Sequence, residues 1–442
     1  MATARSTGRV RLLVGLVLLA LGALLAWPQS ARAQGTTLRV PADYDTVQAA
    51  VDAAQPGDLV LVANGVYHEA VFVGPSHPGG FTIRGETRSG VIFDGQNELG
   101  TAIEAQADDV VMENMTAHDY TGNGFYWQSV DGYRGSWLTA YRIGVYAIFS
   151  FDAVNGIFED SYASGSADAA YYVGQCFPCN TVLRRLTAEY SALGYSGTNA
   201  GGNLILEDSL WQLNGTGILP NSLSTEANPP QRQATIRNNI VTNNNNLETP
   251  STGLSGSIVG LGIGLAGGHE NVVENNVVTD HDLYGIAIFP LPEGDTNIWI
   301  PNDNVVQNND VSGSGMADLT VTAGAGTGNC FTGNAFESSD PPLIEVAFGC
   351  PTGAALGSPV SAAVLASQLL QEETTRERGR YEDMPDAPPQ PDMPGSPFTG
   401  EEQAAGDVSD EGDDMPATGG GIVLGMIGLG LIASSVGARR RA

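Results

Sequence analysis

The chain repeats itself, and that limits the folds open to it. "NVVENNVV" (Asn271 to Val278) recurs in looser form as "DVVMENMT", "NGIFEDSY", "NTVLRRLT", "NLILEDSL", "NVVQNNDV" and "NCFTGNAF". The sixth residue of this frame gives one column: Asn114, Trp137, Asp160, Arg185, Asp208, Asn239, Asn276, Asn309 and Asn334, in steps of 23 to 37 residues. A unit of that size cannot bury its own apolar face and must stack on its neighbours, which makes a solenoid. Each unit holds short alternating strands, often with a glycine before a second one ("GVYAI", "GIGLA", "GIAIF"), and no helical stretch. Leucine-rich repeats therefore fit poorly, and three short parallel strands per coil fit well. Asparagine suits the corners of such a coil because it tolerates the left-handed backbone. Its amide can also bond the asparagine one coil away, about 4.8 Å along the axis. The run Asn243 to Asn246 would by itself also suit a flexible loop.

These repeats, with the entry segment "DTVQAAVDAAQPGDLVLVANGVYHEAVFV" (Asp45 to Val73), make the chain similar to the right-handed parallel β-helix proteins. That group includes pectin, alginate and chondroitin lyases and many surface proteins. The resemblance runs from Thr37 to Cys350. It implies an all-β, single-stranded right-handed parallel β-helix solenoid over residues 34–352. It implies no particular activity, since lyases, hydrolases, esterases, epimerases and non-enzymes share the fold. A short helix from Thr46 to Ala54, N-capped by Asp45, is expected to cover the first coil. Ser358-Pro359 opens a second helix within residues 353–380, whose Val360, Val364 and Leu365 are expected to cover the last coil.

The two ends read as addresses. Arg5, Arg9 and Arg11 precede an apolar run from Leu12 to Trp27 and then Ala31-Arg32-Ala33, the pattern of a secretory signal peptide over residues 1–33. Residues 381–414 hold eleven acidic residues, six prolines and no base, which predicts a disordered, extended stalk. Met415-Pro416-Ala417-Thr418-Gly419 resembles the LPxTG sorting signal of Gram-positive surface proteins, with Met where Leu is usual. The uncharged segment 420–438 and Arg439 to Arg441 follow in the matching order, so residues 415–442 form the expected sorting unit. That resemblance implies a sortase cut between Thr418 and Gly419 and linkage to cell-wall peptide. A permanent membrane anchor is the alternative. Either way the solenoid is expected outside the cell, as a monomer.

The formal charge is −30 and lysine is absent, so nucleic acid and anionic lipid surfaces are poor partners. Extracellular polysaccharide remains. The four cysteines are expected to form two disulfides, Cys176–Cys179 and Cys330–Cys350, with a redox motif or half a zinc site as rival readings of the CxxC. No metal ligand set is evident, and Ca²⁺ is the one cofactor left open.

Stacking the repeats places His118, Tyr141, Ser164, Glu189, Gln212, Asn243 and Asp280 in one row. Asp119, Arg142, Tyr190, Asn244 and His281 fall in the next. Such a polar, aromatic ridge would suit a linear sugar chain; corner residues are also polar simply because water reaches them. Insertions at Ile218 to Gln231, Leu247 to Ser257 and Pro290 to Pro301 are expected to wall off part of it. Asp280, His281, Asp282 and Tyr284 lie between the last two. A carboxylate, an imidazole and a phenol together could move a sugar C5 proton, the chemistry of a lyase or epimerase. The cluster faintly resembles the DPHD motif of alginate epimerases without its proline. The expected substrate contacts are His118, Tyr141, Arg142, Glu189, Tyr190, Gln212 and Asn243.

Overall fold

The computed structural model describes residues 35–251, 256–294, 297–351, 356–370 and 379–395. The expected signal peptide and the expected sorting signal with its apolar segment lie outside the described residues. Among the described residues no helix is long and apolar enough to cross a membrane.

The chain coils as a right-handed parallel β-helix with three strands per turn. Val110–Tyr120 shows the plan: it is one strand bent at Asn114, whose φ is +58°. Residues 110–113 form the first strand of the coil, residues 115–118 the second, and Asn123–Gln128 the third. The first and second strands of all coils build one 21-stranded sheet, and the third strands an 11-stranded sheet. Nearly all pairing is parallel and in register from coil to coil, as in Leu204↔Ala234 and Val273↔Val306.

Alternation along each strand sends one set of side chains into the lumen. In the third strands that set is Phe125, Ile148, Tyr171, Tyr195, Ile218, Ile263, Ile286 and Leu319, stacked coil over coil and buried. Trp127 and Trp211 fill the same interior. Each such side chain contributes about 2 kcal/mol by leaving water.

The corners hold the asparagines in two distinct jobs. Left-handed backbone falls on Asn114, Trp137, Asp160, Arg185 and Asp208, and then on Asn238, Asn275 and Asn308. The stacked amides belong to the next residue. Asn239 donates from its backbone N and its Nδ2 to Asn276 Oδ1, both at 3.0 Å, and Asn276 does the same to Asn309. Asn309 continues to Asn334, which ends on Glu345 Oε1. The four expected residues therefore line up. The sequence frame slips by one residue between Asp208 and Asn239, however: Ser209, not Asp208, precedes Asn239 in the ladder. A second ladder runs through Asn271, Asn304 and Asn329. A third runs through Ser191, Asn214 and Asn244. The Asn243–Asn246 run is ordered: its four side chains bond Thr242, Trp211, Asp280 and Leu213.

The caps differ in detail from expectation. The first helix is Val47–Ala53, and Thr46 rather than Asp45 caps it, its Oγ1 accepting from Ala49 N. The last coil is closed by the helix Ile344–Ala347, with Ile344 and Phe348 in the lumen core. Pro359–Leu370 forms as expected, with Ser358 Oγ accepting from Ser361 N. It lies instead on the outer face of the third strands, where Leu365 packs with Tyr284, Ala287 and Phe289. Val360 is exposed. Both disulfides are present, Cys176–Cys179 and Cys330–Cys350.

The acidic segment departs most from expectation. Residues 381–395 are not a free spacer but lie against the solenoid. Asp386 pairs with Arg142, and Asp392 Oδ1 accepts from Arg88 N at 2.7 Å. Pro391 O accepts from Arg88 Nη1, and Met393 N donates to Asn114 Oδ1 at 2.9 Å. Composition excludes a core of their own; it does not exclude docking on a surface that carries arginines.

Candidate functional site

The corner ridge exists, but its members already satisfy one another. His118, Tyr141, Ser164 and Glu189 are in register on successive second strands, as expected. His118 and Tyr141 stack with ring centroids 4.9 Å apart, and the Arg142 guanidinium sits over Tyr141. Arg142 donates from Nε and Nη2 to the two oxygens of Asp119 at 2.7 and 2.8 Å, and His118 Nδ1 is 2.7 Å from Asp119 Oδ2. Burial pushes the Asp119 carboxyl up, but Arg142 and His118 together hold it below the usual carboxylate range. Glu189 accepts from Tyr162 Oη and Gln212 Nε2, Tyr190 is half-buried at a left-handed corner, and Asn243 is exposed.

Asp94, His118 and Asp119 offer three donor atoms within 4.8 Å of one another. They fit Ca²⁺ poorly. Asp119 already gives both oxygens to Arg142, and an imidazole is a weak ligand for a hard cation.

The expected catalytic group does not converge. Because of the one-residue slip, His281 points into the solenoid instead of along the ridge, since neighbouring strand positions face opposite sides. It is buried, with Nδ1 3.4 Å from Asn244 N and Nε2 3.2 Å from Val241 O. This is the last rung of the third asparagine ladder. Burial pulls its pKa down to about 4, against the small opposing effect of the Val241 carbonyl. Tyr284 is also buried, beneath the Pro359–Leu370 helix, while Asp280 and Asp282 are exposed. A buried neutral imidazole, a covered phenol and two solvated carboxylates cannot share one substrate atom.

The outer face of the third strands holds what sequence reasoning missed. Phe72, Glu104, Tyr126, Phe149 and Tyr172 are successive partners across five coils. Tyr126 and Phe149 stack at 4.3 Å and 8°, and Tyr146 and Tyr172 close on Phe149 at 4.5 and 5.0 Å. Phe72 is 45 % exposed; Glu104, Tyr126, Gln128, Tyr146 and Phe151 are partly exposed. Two of the expected insertions border this face, not the ridge. Glu293, in the hairpin of Leu291–Glu293 and Asn297–Trp299, accepts from Ser224 N and Oγ, and Glu226 of the Ser224 loop accepts from Tyr172 Oη at 2.6 Å.

Two acids edge the aromatic rings. Burial pushes Asp168 up to about 7; Glu226 adds to this and the bond to Tyr146 opposes it. Burial also pushes Glu226 to about 7, against its bond from Tyr172. Carboxyls raised that far are protonated in part near neutral pH and can then donate. One signal was available: Tyr126, Phe149 and Tyr172 are spaced 23 and 23 residues apart, the period of the repeat itself.

Residues 123–291 match the family model for the right-handed beta helix region. No curated protein matches the chain. Several solved structures are similar. The A-module of mannuronan C-5 epimerase AlgE4 from Azotobacter vinelandii shares 13% identity over 66% of this chain and 94% of its own, with a TM-score of 0.44. An alginate lyase from Paenibacillus sp. str. FPU-7 shares 17% over 66% and 99%, at 0.42. DFA-IIIase from Arthrobacter chlorophenolicus A6, without its lid, shares 12% over 68% and 89%, at 0.46. The family match and the parallel coil-to-coil pairing of its own strands identify the architecture of this chain as a right-handed parallel β-helix.

Proposed function

We propose that the protein is an exported, surface-anchored module that binds extracellular polysaccharide along the outer face of its third strands. One observation carries this reading: the row of Phe72, Glu104, Tyr126 and Tyr146, at least partly exposed, packed over the buried Phe149 with Asp168 at its edge. Tyr126 and Phe149 cover each other's facing sides, so a linear chain would pack its C–H groups on the exposed Phe72 ring and on the outer parts of Tyr126 and Tyr146, while its hydroxyls bond Glu104 and Gln128. The export and anchoring parts of the proposal rest on the signal-peptide pattern and on the motif at Met415 to Gly419.

Retention of the exported chain in affinity gels containing different extracellular polysaccharides tests it. Tyr126→Ala should weaken retention several-fold, since one exposed ring contributes on the order of 1 kcal/mol. Failure to be retained by any polysaccharide, or retention that Tyr126→Ala leaves unchanged, would overturn the reading. A catalytic reading is favoured by one observation: burial raises Asp168 and Glu226 to about 7, so each holds a proton part of the time near neutral pH, as a general acid must. Products of altered length or stereochemistry that vanish in Asp168→Asn would support it.

A further inference from the structure

Most arginines of the solenoid have carboxylate partners. On the first strands they pair with glutamates of the neighbouring coil: Arg84 with Glu113, Arg184 with Glu159, Arg237 with Glu207. Arg88 is different. Its side chain is only 1 % exposed, and its guanidinium donates to Thr139 Oγ1 at 2.7 Å and to the carbonyls of Leu138, Asp160 and Pro391. All four acceptors are neutral, and among the described residues no carboxylate lies within ion-pair distance of the guanidinium. Burial lowers its pKa, and Asp160 and Asp392, which act on it only at longer range, do not offset that. A buried cation with no carboxylate in direct contact is costly, and such groups mark places where an anion is expected.

What covers Arg88 is the acidic segment. Its carboxylates sit at two points of one groove, Asp392 at the Arg88 amide and Asp386 on Arg142, with Met393 N on Asn114 between the coils. The solenoid itself holds both arginines. Three of the four acceptors that hold the Arg88 guanidinium belong to the solenoid, and Asp119 fixes Arg142 from below. The segment is held lightly by comparison: none of residues 381–395 is buried, and the Asp386 side chain is 76 % exposed. An ion pair that exposed contributes little.

We propose that this groove, lined by Arg88, Asn114 and Arg142 with the His118–Tyr141 stack beside it, is a second binding site. Its ligand is an extended carboxylate-bearing polysaccharide, and residues 381–395 occupy it as an intramolecular competitor. The segment imitates such a ligand: it is extended, kept so by prolines at 385, 388, 389, 391 and 394, and presents carboxylates at intervals. The site lies apart from the aromatic row and does not depend on it. Tethering gives the segment a high effective concentration, on the order of millimolar. A polymer engaging several coils can exceed that, and a monosaccharide cannot.

The test compares the full exported chain with Asp386→Asn/Asp392→Asn, using polygalacturonate as the probe and dextran sulfate and neutral dextran beside it. Hydrogen exchange of residues 381–395 reports whether the segment has left. Amides of the segment should exchange faster in the variant, and retention on polygalacturonate should rise about tenfold. Adding Arg88→Gln/Arg142→Gln should remove that gain. Faster exchange with unchanged polygalacturonate retention would overturn the proposal, while a Tyr126-dependent retention would still leave the aromatic-row reading standing. A segment that stays protected in the variant would overturn it too, since its carboxylates would then not be the latch. A gain confined to dextran sulfate would refute the carboxylate class, and an equal gain on neutral dextran would refute a charged site.

Discussion

Replacing His281 with asparagine should make the protein more stable in acid than it is naturally. His281 stands where the third ladder calls for asparagine. Asn244 N donates to its Nδ1, and its Nε2 faces Val241 O, just as Asn244 Nδ2 donates to Trp211 O one coil earlier. Nε2 therefore carries the single proton. A second proton on Nδ1 would meet the Asn244 N–H in a dry interior, which is why the folded pKa falls to about 4 from an ordinary 6.5. With the folded value below the unfolded one, the unfolded chain takes up the proton first. Stability is then level above about pH 6.5 and falls as pH drops from there to about 4. The slope is about 1.4 kcal/mol per unit and the total about 3 kcal/mol. Asparagine can accept from Asn244 N and donate to Val241 O without titrating. His281→Asn should match the natural protein within about 1 kcal/mol at pH 7.5 and exceed it by about 2 kcal/mol at pH 5. Denaturant unfolding followed by the fluorescence of the buried Trp127 and Trp211 measures the difference at each pH. If both proteins lose the same stability between pH 7.5 and 5, the assigned tautomer and the ladder role of His281 are wrong.

Two other outcomes are expected. Asn276→Ala removes the acceptor for both Asn239 donors and the donor to Ile236 O, all buried, and should cost about 2–4 kcal/mol in thermal unfolding; a loss below about 1 kcal/mol would contradict the ladder's structural role. Exchanging Thr418 and Gly419 for alanine should move the protein from the cell-wall fraction to membrane or medium, and an unchanged wall fraction would rule out sortase processing.

The coil was legible because its period is written in residues with distinctive backbone and amide chemistry. Its phase was harder to read. Asp208-Ser209 and Asn238-Asn239 occupy the same two corner positions, left-handed residue first and ladder residue second. Aligning Asp208 with Asn239 matches the chemistry of neither position. That single step carried His281 from the lumen to the ridge, because adjacent positions on a strand face opposite ways. The aromatic row was hidden differently. Along "GFYWQ" and "AIFSF" apolar residues fill both faces, so alternation no longer tells inside from outside. The docking of residues 381–395 had no local signal at all. It depends on Arg88, a turn residue some 300 positions earlier, reaching across three coils.

The course of that acidic segment also has a mechanical consequence. It runs from a bridge between Gly379 and Pro250 back to Asn114, which places Gly395 beside the early coils of the solenoid. A pull applied beyond Gly395 would load these contacts one after another, first Met393, then Asp392 and Asp386, in the manner of a peeled strip rather than a sheared joint. Each release would cost little force. Freeing residues 379–395 would pay out roughly 5–6 nm of chain before tension reached the coils. If the chain is anchored beyond Gly395, as proposed, the solenoid would thus have a reserve of slack, and drag would be spent on that reserve before it could unwind the asparagine ladders.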